Sequence, residues 1–120
     1  MTDSAQTLAE IARLGGQSKT RRNNFSREAP SRWEPETIIN TESGLPFSTP
    51  SAWELICKLL LESPGIFTEL KLQKPCGQTA YWATITLIPS NVVVYIKVQL
   101  TSGLAHGRSF HISTKGVADV

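Results

Sequence analysis

Strict alternation over the last third of the chain leaves few options for its fold. The run Val92-Val-Val-Tyr-Ile-Lys-Val-Gln-Leu100 is followed, after a short gap, by Gly107-Arg-Ser-Phe-His-Ile-Ser113. Val92, Val94, Ile96, Val98 and Leu100 fall on one parity, and Phe110 and Ile112 continue it. Tyr95, Lys97, Gln99, Ser109 and His111 fall on the other. A period of two over runs of this length is the pattern of half-buried strands. The two runs are expected to form an antiparallel hairpin with one apolar face and one polar, ionisable face.

The preceding segments extend this hairpin into a domain. Thr79–Ile88 reads as a strand and Pro89-Ser-Asn91 as its turn. Ile66–Leu72 reads as another strand, and Lys74-Pro-Cys-Gly77 as the turn after it. Short turns require antiparallel neighbours. Upstream, Trp53, Ile56, Leu59 and Leu60 recur at helical spacing, with Ala52, Leu55 and Leu61 beside them. Thr49 can cap this helix with Pro50 at its first position, or Ser51 and Glu54 can form a capping box two residues later. Ser63-Pro64-Gly65 ends it. The expected fold class is α+β, with one main helix on a four-stranded, mainly antiparallel sheet.

The N-terminal part is organised differently. Residues 3–14 read as a short helix with Ala5, Leu8, Ile11 and Ala12 in one stripe and Gly15-Gly16 as its stop. Residues 15–35 are polar and basic and read as a flexible arm. Phe25 and Trp33 are unusual there and suggest docking on a partner or on the domain itself. Ile38-Ile39 is expected to form a short strand or an edge contact. The boundaries are 1–35 for helix and arm and 36–120 for the α+β domain. On the second sheet face, Tyr81, Ala83, Ile85, Leu87 and Val93 are expected to accompany Tyr95 and Lys97. Such a half-apolar face needs a cover, from the N-terminal helix, a second copy or a partner protein.

Composition excludes several function classes. The 120 residues suffice for one core without staples, and 40% of them are apolar. The net charge is only +2, but Arg13, Lys19, Arg21, Arg22, Arg27 and Arg32 cluster with a single acid, Glu28, among them. The two cysteines, Cys57 and Cys76, lack metal-ligand spacing, so neither zinc nor another metal or cofactor is expected. Cys57 is expected to be a buried free thiol. No apolar run has the length of a membrane span, and Met1-Thr-Asp-Ser does not begin a signal peptide. A reduced, cytoplasmic protein is expected. Paired acids for sugar hydrolysis, a phosphate-cradling glycine loop and a nucleophile elbow are all missing from the sequence.

The chemistry therefore concentrates on the hairpin. If Val98 pairs with Arg108, Tyr95 lies opposite His111 and Lys97 opposite Ser109; a two-residue slide places Lys97 opposite His111 instead. Either register holds these side chains together, because opposed Cβ atoms lie about 5 Å apart. Such a set suits metal-independent RNA cleavage. His111 would act as acid or base, Lys97 and Arg108 would hold the phosphate, and Tyr95 would orient the substrate. Arg108 shares the parity of Phe110 and must turn outward to take part. The plain alternatives are a solvent-facing sheet histidine and a lysine that discourages strand pairing. His106 is expected in a loop without a partner. In the arm, Lys19, Arg21, Arg22, Arg27 and Arg32 are candidate phosphate contacts, with Phe25 and Trp33 as stacking groups, or else a solvated linker.

The segments Val94-Tyr-Ile-Lys-Val-Gln-Leu100 and Arg108-Ser-Phe-His-Ile-Ser113 resemble the C-terminal hairpin of bacterial ribonuclease toxins with the RelE-like fold. Within that group they are most similar to the motility quorum-sensing regulator toxins. The resemblance covers about a quarter of the chain. It implies a small cytoplasmic α+β ribonuclease of a toxin–antitoxin pair that cuts messenger RNA without metal and is silenced by an antitoxin. The competing expectation is a non-enzymatic binding module, such as a phage or mobile element encodes. That module would engage a protein or nucleic acid through the basic arm and the sheet face. RNA, a protein partner and a second copy are the expected partners; a membrane is not.

Overall fold

A computed structural model describes residues 4–23, 32–72 and 78–113. The chain is α+β. Two helices, α1 (Ser4–Gly15) and α2 (Thr49–Glu62), pack on one face of a mainly antiparallel sheet. Among the described residues the sheet has six strands rather than four. They are β1 (Arg21–Arg22), β2 (Arg32–Trp33), β5 (Thr68–Lys71), β6 (Thr79–Leu87), β7 (Val92–Thr101) and β8 (Leu104–Ile112). Their order is β1, β8, β7, β6, β5, and β2 lies beside β1 along the same edge of β8. A separate two-stranded hairpin joins β3 (Ile39–Asn40) to β4 (Leu45–Pro46).

The additional strands come from the segment read as a flexible arm. Arg21 and Arg22 pair parallel with Ala105 and His106, and Arg32 and Trp33 pair parallel with Ser109 and Phe110. Backbone pairing anchors both described ends of that segment to β8. Trp33 then points into the core, where its ring lies 5.7 Å from both Trp53 and Phe110. Its indole N–H donates to Thr49 Oγ1 at 3.1 Å, which ties β2 to the start of α2. Phe25, Arg27 and the turn at Lys74–Gly77 with Cys76 lie outside the described residues.

Both helices start and end for local reasons. The α2 cap is Ser48, one residue before the expected Thr49. Its hydroxyl accepts from the Ser51 N–H, and Ser51 Oγ accepts from the Ser48 N–H, so the capping box pairs two serines. Ala52, Trp53, Ile56 and Leu60 are buried, whereas Leu61 is exposed. On α1 the buried stripe is Leu8, Ile11, Ala12, Leu14 and Gly15, while Ala5 is exposed. Gly15 is inside the helix. An added Cβ there would lie 2.9 Å from the Trp53 ring and 3.1 Å from Cys57 Sγ. It is a packing glycine as well as the last helical residue. Cys57 is a half-buried free thiol that donates weakly to the Ala12 carbonyl at 3.4 Å, and burial raises its pKa.

The central hairpins set which side chains share a face. Tyr81 pairs with Val98, Ala83 with Ile96, Ile85 with Val94 and Leu87 with Val92. Paired residues share a face, so this apolar row lies on the helix side with the core. The expected assignment of Tyr81, Ala83, Ile85 and Leu87 to the second face is overturned. The Ile88–Asn91 loop pairs Leu87 with Val92, which sets odd residues of β6 against even residues of β7. Trp82, Thr84 and Thr86 therefore stand on the second face with Lys97, Tyr95 and Val93. Val93, Tyr95 and Trp82 are the apolar members of the second face, and α1 covers the same face as α2. The β7–β8 turn is only Ser102-Gly103, both in the left-handed region at φ 55° and 73°, so His106 sits in a strand and not in a loop.

Gly107 lies opposite Val98 on the core face, beneath the two tryptophans. A Cβ there would approach the Trp33 ring to 2.5 Å and the Trp53 ring to 2.9 Å. The Trp53 ring, with no accessible surface, has no room to retreat. Gly107→Ala is expected to cost about 1–3 kcal/mol or more in urea unfolding. Gly65→Ala, where nothing lies within 4 Å of the added Cβ, should change stability by no more than about 1 kcal/mol.

Candidate nucleic-acid interface

A β-bulge resolves the parity problem of Arg108. Tyr95 pairs with His111 and Lys97 with Ser109, but Val98 pairs with Gly107. Arg108 is the extra residue between them. Beyond it the alternation of β8 shifts by one, so Gly107 and Ala105 continue the core face begun by Phe110. The Arg108 side chain reaches the second face, where Nη1 donates to Gln99 Oε1 at 3.2 Å. Gln99 Nε2 in turn donates to Gln78 Oε1 at 2.5 Å. Bulges re-aim side chains in this way.

The four hairpin residues expected to act together do share one face. An aromatic ladder crosses that face. Trp82 stacks on Tyr95 at 5.9 Å and 17°, and Tyr95 stacks on His111 at 5.3 Å and 29°. Lys97 stands directly between Trp82 and Ser109. The burial differs sharply along the ladder. Trp82 is half-buried, Tyr95 is 6% exposed and His111 has no accessible surface. His111 Nδ1 lies 2.9 Å from the Ile112 carbonyl, which can only accept, so this contact places a proton on Nδ1. Lys97 and Arg108 keep 8% and 5% of their surface.

Positive charge gathers here. Burial first, and then Arg108, lowers the Lys97 pKa, and burial lowers that of Arg108. His106, opposite Gln99, is also lowered, by burial and then by Arg108 and Arg22. Arg22 pairs with His106 and Arg32 with Ser109, so two arm cations line the outer edge of the same face. Arg32 Nε contacts Glu34 at 3.5 Å in an exposed pair that contributes little. Among the described residues Lys97 has neither a hydrogen bond nor an ion pair. Arg21 and Lys19 serve other ends. Arg21 Nη1 donates to the Gly15 carbonyl at 3.1 Å, where a cation suits the helix C-terminus, and Lys19 sits in the following turn with its carbonyl accepting from Arg22.

Sequence reasoning missed Trp82, Gln78 and the strand position of His106. The loop lengths carried the signal for Trp82 and His106, because they set parity on both hairpins. Among the described residues no group of three or more His, Cys, Asp or Glu could hold a metal ion. Nor, among the described residues, is any helix long and apolar enough to cross a membrane. Compared with protein-family models, with curated proteins and with solved structures, the chain matches none.

His106 gives this charge cluster a pH signature. Its native pKa lies below its unfolded value, so the unfolded chain binds more protons as pH falls through the ordinary imidazole range, about 6.5. Stability present above that range is lost below it. The melting temperature should fall between about pH 7.5 and 5.5, and His106→Gln should flatten that slope. An equal slope in the variant would assign the effect elsewhere.

Proposed function

We propose that this chain is a non-catalytic module that binds single-stranded RNA on the second face of its sheet. The observation that carries this reading is the convergence of Lys97, Arg108, Arg22, Arg32 and His106 around an aromatic ladder whose outer member, Trp82, is accessible. Stacked bases on an aromatic platform beside a cationic track are the general means of holding a single strand. A buried lysine with neither a hydrogen bond nor an ion pair among the described residues is unfavourable by itself, and an anion beside it relieves the desolvation. In this reading a phosphate sits near Lys97 and Arg108, a base stacks on Trp82, and Arg22 and Arg32 extend the track along the β8 edge.

Binding is favoured over cleavage because of His111. A general acid or base must come within hydrogen-bond reach of the 2′-oxygen or the 5′-oxygen. A side chain with no accessible surface does not. The ribonuclease reading of the toxin type keeps one observation in its favour: Tyr95, Lys97 and His111 lie on one face in the register that cleavage would need. It requires in addition that RNA binding expose the histidine.

A single experiment separates the two. Labelled single-stranded RNA is incubated with the protein in chelator, and both binding and strand scission are followed across a salt series. Binding without scission is expected, with affinity falling as salt rises. Trp82→Ala should weaken binding roughly tenfold or more. Lys97→Met should weaken it while leaving the melting temperature unchanged or raised, since a buried charge is removed. Scission that His111→Ala abolishes without loss of binding would replace this reading with the ribonuclease. Absence of binding at low salt would remove both.

A further inference from the structure

The far edge of the sheet carries a second, unrelated feature. β5 covers β6 only from Thr79 to Trp82. Among the described residues no strand lies along the outer side of Ala83–Leu87. Thr84 and Thr86 are exposed there.

Backbone direction along this stretch follows from two hydrogen bonds. The Gln78 carbonyl accepts from the Leu72 N–H at 2.7 Å, so residue 78 points toward the β5 side. The Leu87 carbonyl accepts from the Asn91 N–H at 2.7 Å, so residue 87 points toward β7. Peptide groups alternate between edges along a strand. The even residues of β6 therefore face outward, and the N–H and C=O groups of Thr84 and Thr86 form an open ladder. The segment Ala83-Thr-Ile-Thr-Leu-Ile88 has no charge and no proline to discourage pairing. Natural edges of this composition are normally blocked or filled.

We propose that two copies of this chain join edge to edge through β6, antiparallel, about a twofold axis at Ile85. Geometry selects that centre. Pairing about Ile85 sets Thr84 opposite Thr86 of the second copy and Thr86 opposite its Thr84. Both are pairs whose groups point outward, so every open N–H and C=O of the two threonines finds a partner. Centring on Thr84 would need Trp82, which already pairs with Thr68. Centring on Thr86 would need Ile88, beyond the end of the strand. The chosen register also matches side chains, with threonine facing threonine on one face and Ile85 facing its own copy on the other. A twofold contact must be self-complementary in this way. Two exposed apolar groups flank the ladder. Ile88 is 68% exposed and Ile66, just before β5, is 41% exposed. The register carries Ile88 of each copy toward the β5 end of the other. The proposal does not depend on the RNA-binding reading.

Sedimentation velocity over a concentration series, with hydrogen exchange on the same samples, tests it. The average mass should rise toward that of two chains, and the Thr84 and Thr86 amides should slow by about tenfold or more in the associated form. The Thr84→Lys/Thr86→Lys double variant should melt like the parent and stay monomeric. A parent that remains a single chain at its highest soluble concentration would overturn the proposal. So would a dimer whose Thr84 and Thr86 amides exchange as fast as in the monomer, a reading that needs no variant. A dimer lost on Leu61→Glu but kept in the double lysine variant would place the contact on α2 instead.

Discussion

The Trp53 indole is the contact on which the architecture turns. It has no accessible surface and is gripped between two backbones, α1 at Gly15 and β8 at Gly107. The helix layer can approach the sheet this closely only because both positions lack a Cβ. Trp33 then closes on Trp53 and Phe110 from the β8 edge, and Phe47 completes the cluster at 5.2 Å from Phe110. The packing has a cost, since Trp53 Nε1 is buried with no hydrogen-bond partner among the described residues. A lone unsatisfied donor costs about 1–3 kcal/mol. Burial of a side chain of this size offsets it.

That cluster explains why a basic, proline-bearing segment becomes part of the sheet. Backbone pairing at two residues is too short to hold a strand by itself. Trp33 supplies the missing energy by entering the core, and its N–H finds Thr49. Once Trp33 is fixed opposite Phe110, Arg32 must stand opposite Ser109 on the other face. The same logic at β1 sends Arg21 toward the helices and Arg22 toward His106. A hydrophobic constraint on one side of the sheet thus dictates where the cations lie on the other.

Legibility in the sequence tracked the length of each pattern. The strands from Thr79 to Ile112 and helix α2 have enough periods to be read directly, and the pairing of Tyr95 with His111 and Lys97 with Ser109 was among the foreseen registers. Two-residue strands such as Arg21–Arg22 and Arg32–Trp33 have no period at all. Their strand state comes from tertiary pairing, which local propensity does not encode. The face of β6 was misassigned because parity passes through a loop, and one residue of loop length inverts every side chain after it. The bulge at Arg108 is a similar single-residue event. Its trace in the sequence is that Ala105 and Gly107 share a parity with His111 yet fill the core face. Small residues there fit under tryptophans where larger ones do not.

The bulge also decides which cations the second face holds. A regular hairpin would have sent Arg108 to the core side, where no acid among the described residues awaits it, and away from Lys97 on the polar face. With the bulge, Arg108 joins Lys97 and is held by Gln99, which Gln78 holds in turn. Two cations are thereby fixed beside a stacked aromatic row, with lowered proton affinity and little surface. In the proposed reading, such an arrangement takes a ligand that brings its own negative charge and a flat ring. The His111 ring forms the inner wall of the stack and has no accessible surface. Catalysis needs a mobile proton at an accessible atom, whereas recognition needs only fixed charge and a face to stack on. In the proposed reading, Trp82 and Lys97 supply that face and that charge.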